Sequence, residues 1–233
     1  FVTKGTPTDE VKEIIKELNW KNKSVLDVGC GTGLFAHKDS KLGPKQVLGI
    51  DFSKEAIEIA IQTHKNDNLQ YQILDVKEIK SKYDVIVSLG TLEHMDDPLK
   101  TLKILKKHLT KNGKLIVTSP NWTNPRGYIL MTLWHLFNAP ITLADLHYQT
   151  PVDFQNYAKK LGMRLKWRTI DRSWAHGEIL IRDFQRRLPN VLRDAKLPKN
   201  SKNIENFIDW IEKNILPFDN RLNHSGATGL YVF

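Results

Sequence analysis

Residues 25–33 hold the pattern with the clearest chemical potential in this chain. The run Val-Leu-Asp-Val-Gly-Cys-Gly-Thr-Gly joins an apolar stretch and one acid, Asp27, to glycines at positions 29, 31 and 33. Glycine adopts positive φ without steric cost and lets a ligand lie directly on the backbone. A helix that begins at the last glycine points free N–H groups and the positive end of its dipole at that ligand. The pattern predicts a cradle for a nucleotide-type cofactor.

Two further acids are expected beside this cradle. Asp51 closes a predicted strand at 46–50, and Asp75 closes another at 69–74. Ligands of parallel sheets bind beyond the carboxyl ends of the strands, so these acids should lie near the glycines and near segment 89–94. A structural alternative stays open for each acid, because aspartate also caps turns and helices.

The elements that would position these residues alternate along the first 120 residues. Strands are predicted at 24–28, 46–50, 69–74, 83–89 and 114–119, and helices at 9–18, 35–42, 54–64 and 98–109. Ser53 is expected to cap the helix 54–64, and a turn at 111–113 to introduce the fifth strand. Five strands that alternate with helices and have short links indicate a parallel sheet covered on both faces.

The pattern changes after Pro120. Segment 121–150 is rich in aromatic residues and predicts an inserted cap, helical at 128–137. Further elements are predicted in the order helix 152–161, strand 163–170, helix 203–216 and strand 228–233. We predict a single domain, 1–233, made of a cofactor-binding core (20–120), a cap and substrate region (121–160), and C-terminal strands with inserted helices (161–233).

Composition narrows the class of protein. The 233 residues are 40% hydrophobic, which suffices for an α/β core, and no segment approaches the roughly 18–20 apolar residues that span a bilayer. Residues 1–9 lack the basic start and apolar stretch of a secretory signal. Cys30 is the single cysteine, which excludes an internal disulfide and favours a reducing, cytoplasmic setting. We interpret Cys30 as a small packed residue rather than a nucleophile.

The net charge of +9 is unevenly distributed. Segment 159–199 carries 12 Lys/Arg against four acids. Such a field attracts nucleic acid, an anionic lipid surface or an anionic metabolite, and a solvated basic face is the plain alternative.

The motifs in 20–120 resemble those of class I S-adenosylmethionine-dependent methyltransferases, most of all the small-molecule enzymes of the ubiquinone and menaquinone group. The residues that carry the resemblance are 26–33, 49–51, 74–76, 83–86 leading to 92–94, and 113–117. The resemblance implies an α/β fold: a Rossmann-like, doubly wound, mostly parallel seven-stranded sheet with helices on both faces and a helical, aromatic cap. It also implies S-adenosylmethionine as cofactor and S-adenosylhomocysteine as product.

Particular roles follow from this resemblance. The backbone from Asp27 to Gly31 would meet the methionine portion, Asp51 would accept hydrogen bonds from the ribose hydroxyls, and Asp75 with the Val76 N–H would address the adenine. Leu89 and Gly90 would lie beside the sulfonium. The full set of predicted cofactor residues is Asp27, Gly29, Cys30, Gly31, Gly33, Asp51, Phe52, Asp75, Val76, Leu89 and Gly90.

A dinucleotide-binding fold is the competing interpretation of the glycines. That fold uses Gly-x-Gly-x-x-Gly, whereas the third glycine here comes one residue early. In that fold Asp27 would also place a negatively charged carboxylate close to the negatively charged pyrophosphate, which is unfavourable. Asp51 fits both classes and does not distinguish them. The glycine spacing and Asp27 favour the methyltransferase.

Methyl transfer is an in-line displacement, so the enzyme must align an acceptor and exclude water, with a base only where the acceptor loses a proton. We predict an acceptor pocket at Trp122, Tyr128, Trp134 and His147, and catalytic candidates at His94, His147 and Tyr148. Ordinary packing and local hydrogen bonding are the alternatives for these side chains. Some related quinone O-methyltransferases carry Glu-x-x-Glu-His after the fourth strand. Gly90 replaces the first glutamate here, which predicts no metal requirement.

The sequence thus predicts an enzyme that methylates a small molecule, anionic or partly apolar. An RNA- or protein-modifying methyltransferase that uses the basic segment 159–199 is the second hypothesis. A non-catalytic cofactor-binding protein is the third, and the intact acids and glycines disfavour it.

Overall fold

The computed structural model describes residues 9–142, 144–171, 176–214, 216 and 225–233. The strands are β1 (Ser24–Val28), β2 (Gln46–Asp51), β3 (Leu69–Ile73), β4 (Tyr83–Leu89), β5 (Leu109–Pro120), β6 (Lys166–Ile170) and β7 (Thr228–Val232). The helices are α1 (Asp9–Ile15), α2 (Leu34–Ser40), α3 (Lys54–Thr63), α4 (Pro98–Lys107), α5 (Pro125–Phe137), α6 (Pro151–Leu161), α7 (Gly177–Asp194) and α8 (Ser201–Asn214).

The seven strands form one sheet in the order β3-β2-β1-β4-β5-β7-β6. The pairs β1·β2, β1·β4, β2·β3 and β4·β5 are parallel. Leu115 and Phe233 exchange both backbone hydrogen bonds (3.3 and 2.9 Å), the pattern of an antiparallel pair, so the end of the chain runs against β5. The predicted fold class, a mostly parallel seven-stranded α/β sheet, is confirmed.

Local sequence explains where several helices begin. The Ser53 side chain accepts a hydrogen bond from the Ala56 N–H and caps α3, as predicted. Asp97 caps α4 and Asn124 caps α5 in the same way, each followed by a proline. Proline suits the first helical position because that N–H has no partner inside the helix.

Two features of the fold differ from the sequence prediction. The expected turn at 111–113 lies within β5: Tyr83 pairs with Leu109 and Val85 with Lys114, so the additional residues form an irregularity in a continuous strand. The 18-residue helix α7 was not predicted. Pro189 lies inside α7, and proline usually ends a helix pattern. Residue 215, near the predicted end of the helix 203–216, and residues 1–8 lie outside the described part.

The chain divides into two compact units, each with its own apolar core. The first comprises the described residues of Phe1–Ser119, Pro151–Trp167 and Leu230–Phe233. Its core includes alternate residues of the strands, which share one face of the sheet, together with residues of α4 and α6, and the ring of Phe154 stacks on Tyr231 with centroids 3.6 Å apart. The second comprises those of Pro120–Thr150 and Arg168–Gly229, with Leu130, Leu180 and Phe184 fully buried. The organisation of the whole chain as one domain stays a prediction.

A search of the described helices finds none with the length and apolar character needed to cross a membrane.

Candidate functional site

The glycine loop between β1 and α2 has the backbone that its sequence predicts. Gly29, Gly31 and Gly33 have φ values of 70°, 51° and 83°, in the left-handed region. A Cβ atom at Gly29 would lie 2.4 Å from Cγ2 of Thr91, whereas one at Gly31 would meet nothing within 4 Å. The loop is therefore closely packed at Gly29 and open at Gly31, where a ligand can approach the backbone.

Asp51 links this loop to the end of β2 by a hydrogen bond. Its Oδ2 accepts a hydrogen bond from the Gly31 N–H at 2.9 Å, and its Oδ1 accepts one from the Ser53 N–H at 2.9 Å. Each carboxylate oxygen has two lone pairs, so both can accept a further bond from a ligand. The structural role expected of Asp51 and its predicted ligand role are thus compatible.

Asp75 lies at the end of β3 and is exposed. Its Oδ1 accepts a bond from the Lys77 N–H at 2.8 Å, and the Glu78 side chain accepts one from the Asp75 N–H at 3.1 Å. This capping box begins a short 3₁₀ helix, Val76–Glu78. It fixes the Asp75 carboxylate beside the Val76 backbone.

A cavity of about 120 Å³ joins these strand ends. Phe52 is one of its lining residues and is 85% exposed. Thr91 and Met95, which sequence reasoning did not single out, also line it. The lining residues are Val28, Gly29, Ile50, Asp51, Phe52, Leu74, Asp75, Val76, Thr91 and Met95. The structure therefore brings together five of the predicted cofactor residues around one cavity.

Asp27 lies beneath the loop, only 2% exposed, and its Oδ2 has no hydrogen-bond partner among the described residues. Burial and the nearby Asp39 raise the pKa of Asp27 to about 8. Asp39 is fully buried on α2, both its oxygens are without a described partner, and burial raises its pKa to about 7. Both carboxyl groups consequently stay protonated to a pH well above the one at which an aspartate usually loses its proton.

A residue that the sequence analysis missed, Tyr71, supports the loop from β3. Its hydroxyl donates to the Gly33 carbonyl at 3.1 Å. A Cβ at Gly33 would lie 2.5 Å from the Tyr71 Oη, and one at Gly49 would lie 2.7 Å from its Cδ1. Glycine at 33 and 49 leaves the space for this ring. Gly49, inside an apolar strand, was the available signal, since a strand glycine often marks a close approach.

Cys30 packs inside the loop. A Cβ on Gly49 would lie 3.0 Å from its Sγ, and burial raises the pKa of the thiol. The thiolate is the reactive form of cysteine, so this environment favours packing over nucleophilic chemistry.

Leu89 and Gly90 end β4 at the same edge of the sheet. The Gly90 N–H donates to Oγ1 of Thr118 at 3.0 Å, and the Thr118 hydroxyl donates to the Glu10 carboxylate of α1. This chain of hydrogen bonds holds Gly90, whose φ is 54°, in place beside β5.

The catalytic candidates fall in different units. His94 is exposed and ends a 3₁₀ helix, Leu92–His94, in the first unit. His147 and Tyr148 lie in the second unit, where both are partly buried. The catalytic roles of all three stay predictions.

The predicted acceptor residues lie in the second unit. The Tyr148 ring contacts Trp122 and Trp134 edge-on, with centroids 5.5 and 4.7 Å apart. Trp122 is buried in the core of this unit, whereas Tyr128 is exposed. Packing within the unit thus explains the position of Trp122 and the ring contact of Trp134. Tyr128 is the most exposed of these aromatic side chains.

The residues at the strand ends suit S-adenosylmethionine by their chemistry. The open backbone at Gly31 and the carboxylates of Asp51 and Asp75 offer acceptors to a cationic, hydroxyl-rich ligand. The sheet order with this site at its carboxyl edge defines the class I S-adenosylmethionine-dependent methyltransferases.

Comparison with known proteins agrees with that class. A model of a methyltransferase domain family matches residues 19–178, more than half of the chain, and the chain belongs to this family. A ubiquinone biosynthesis O-methyltransferase of Pelagibacter ubique is 31% identical over 172 residues, 66% of this chain and 69% of the relative.

A second kind of relative matches a shorter stretch. A tRNA U34 carboxymethyltransferase of Campylobacter fetus is 37% identical over 105 residues, which cover 43% of this chain. The chain spans just over a third of the length of that relative, 37%.

Solved structures agree on the fold. An S-adenosylmethionine-dependent methyltransferase from Mesorhizobium loti has a TM-score of 0.59 at 13% identity and covers 96% of this chain and 94% of its own. A magnesium protoporphyrin IX methyltransferase from Synechocystis, with bound S-adenosylhomocysteine, has a TM-score of 0.55 at 20% identity over 68% of this chain and 73% of its own.

Proposed function

We propose that the protein transfers the methyl group of S-adenosylmethionine to a small-molecule acceptor. The observation that carries the cofactor half of this proposal is the cavity at the strand ends, where the glycine loop, Asp51 and Asp75 meet. Family membership supports the same cofactor. The acceptor half is supported by the ubiquinone O-methyltransferase, which matches over two thirds of its length.

The residues of the first unit would hold the cofactor in an extended arrangement along the carboxyl edge. Asp51 would accept from the ribose hydroxyls, and charge-assisted bonds of this kind are stronger than neutral ones. Asp75 and the Val76 N–H would position the adenine, with Phe52 available to cover it. The backbone carbonyls from Asp27 to Gly31 would receive the ammonium group.

The bound cofactor supplies a methyl group already activated by a positively charged sulfur. The chain's own task is therefore alignment and exclusion of water. We place the sulfur near Leu89 and Gly90, where the hydrogen bond that the Gly90 N–H donates to Oγ1 of Thr118 fixes the backbone. His94, His147 and Tyr148 are the proposed groups for orienting an acceptor or taking its proton.

The test is an incubation of the protein with S-adenosylmethionine labelled in its methyl group and a cell extract separated into small-molecule, RNA and protein fractions. We expect label in the small-molecule fraction and none with Asp51→Ala. Label that enters no fraction would contradict methyl transfer.

RNA is the second candidate acceptor, favoured by the match to tRNA U34 carboxymethyltransferases and by the basic segment 159–199. If RNA is the acceptor, the same incubation should give label in the RNA fraction that ribonuclease releases, and no label in the small-molecule fraction.

A further inference from the structure

An arginine cluster in the second unit surrounds a single buried acid. The side chain of Asp183 on α7 is 1% exposed. Its Oδ2 lies 2.7 Å from Nε of Arg126 and 3.2 Å from Nε of Arg187, and its Oδ1 lies 3.3 Å from Nη2 of Arg186. Three guanidinium groups thus converge on one carboxylate.

The charges of this cluster do not balance. Three arginines against one aspartate leave an excess of two positive charges, and the Arg126 and Arg187 side chains are only 13% and 22% exposed. Burial lowers the pKa of Arg126, Asp183 opposes that shift, and the charges of Arg187 and Arg186 add to it. Partly desolvated positive charge of this kind is stabilised by an anion.

The cluster opens on one side into a depression of about 360 Å³. Arg186, Arg187 and Arg193 line it, together with Asn190 and Thr142. Asp194 is the one acid among the lining residues, and its Oδ1 is 2.7 Å from Nε of Arg193, so this pair is neutral. Of the three partners of Asp183, Arg186 and Arg187 line the depression and Arg126 does not, so the excess positive charge of the cluster reaches the depression through Arg186 and Arg187.

Two details of geometry favour an oxyanion. The Nη1 of Arg187 donates to the Ile141 carbonyl at 3.1 Å, which fixes this guanidinium at the depression. The Thr142 Oγ1 accepts from the N–H groups of Ala144 and Asp145 (3.3 and 2.8 Å), so its own proton is directed away from them. Planar guanidinium groups beside a hydroxyl donor match the oxygens of a phosphate.

We propose that this depression binds the phosphate monoester group of a small molecule. The dianion of a monoester matches the excess of two positive charges, whereas a phosphodiester carries one negative charge. The proposal uses only the second unit and does not depend on the proposed methyl transfer.

The test is a calorimetric titration of the full chain with inorganic phosphate, and with dimethyl phosphate as the singly charged comparison at equal ionic strength. We expect saturable binding of phosphate that exceeds that of dimethyl phosphate. Arg186→Gln and Arg193→Gln should each weaken phosphate binding about fivefold, a loss typical of one exposed charged hydrogen bond.

The matched control is Arg182→Gln, since Arg182 is exposed on the same helix but does not line the depression. It should bind phosphate like the unchanged protein, and urea unfolding should show all three variants folded. Absence of saturable binding, or equal weakening by Arg182→Gln, would overturn the proposal.

Binding of a single-stranded RNA oligonucleotide distinguishes a discrete phosphate site from a surface that binds a nucleic acid. Strong RNA binding that all three variants weaken alike, together with no phosphate binding, would indicate an extended surface for a polyanion and would refute a discrete phosphate site.

Discussion

Asp51 joins the backbone of the glycine loop to the start of the next helix, and the same carboxylate is our proposed partner of the ribose. Asp51→Asn keeps the shape but turns one acceptor oxygen into a donor that faces a backbone N–H of Gly31 or Ser53. We expect S-adenosylmethionine affinity to fall about tenfold or more, because hydrogen bonds to a charged group contribute about 1.5–3 kcal/mol.

Isothermal calorimetry measures this change, and Asp67→Asn, at an exposed acid away from the loop, is its matched control. Affinity that is unchanged in Asp51→Asn would remove the ribose role of this residue.

The buried acids predict how stability depends on pH. The pKa values of Asp27 and Asp39 rise from 3.8 to about 8 and about 7. Between pH 4 and about 8 these two carboxyl groups hold more protons in the folded protein than in the unfolded chain, so their contribution to the free energy of unfolding falls as pH rises. Below the unfolded pKa this contribution is fully present, and above about pH 8 it is lost.

Asp39→Asn removes one of these two titrations. Between pH 5 and pH 8 the free energy of unfolding, measured by urea unfolding of the ligand-free protein, should have a less negative slope against pH in this variant than in the unchanged protein. Asp67→Asn should retain the full slope. An identical slope for Asp39→Asn and the unchanged protein would contradict a raised pKa for the buried carboxyl group at 39.

At the scale of elements, the loop depends on a contact that reaches across strands. Tyr71 of β3 fills the space that glycine leaves at 33 and 49. Gly49→Ala should destabilise the fold by about 1–3 kcal/mol, the usual cost of overpacking.

A double-mutant cycle with Tyr71→Ala isolates this contact. Removing the ring first should abolish most of the cost of Gly49→Ala, as measured by urea unfolding. A cost that is the same in both backgrounds would show that the ring does not set the requirement for glycine.

The sequence predicted the elements of the first 120 residues because their apolar periodicity and caps are local. It placed Asp27, Asp51 and Asp75 at strand ends for the same reason. Tyr71, Thr91 and Met95 were missed because their roles arise from packing between segments distant in sequence. The helix α7 was missed because Pro189 and its many arginines obscure the apolar face that packs Leu180, Phe184 and Leu188.

At the scale of the whole molecule, each of the two units has an apolar cluster of its own among the described residues. Phe184 is fully buried in the second. Phe184→Ala should cost about 3–5 kcal/mol in that unit through loss of contacts and the cavity left behind. Hydrogen exchange followed by mass spectrometry should show faster exchange in α7 while β1 keeps its protection.

Leu26 in β1 provides the reciprocal variant, since it is fully buried in the first core. Leu26→Ala should speed exchange in β1 more than in α7. Uniform loss of protection in both variants would mean that the two cores unfold as one cooperative unit.

The acceptor could not be deduced at this scale. The predicted aromatic residues 122, 134 and 148 pack together in the second core, and aromatic composition alone cannot separate a packed cluster from a binding pocket. The arginine cluster was visible only as a basic segment, because the spacing of charges in sequence does not reveal which of them share a buried acid.

The central claim is that the strand ends of the first unit hold the adenosyl part of the methyl donor. A crystal structure with S-adenosylhomocysteine tests it most directly. We expect the ribose hydroxyls on Asp51, the adenine beside Asp75 and Val76, and the chain of the amino acid along the glycine loop. Clear density for the ligand at any other place, with this cavity empty, would contradict the account.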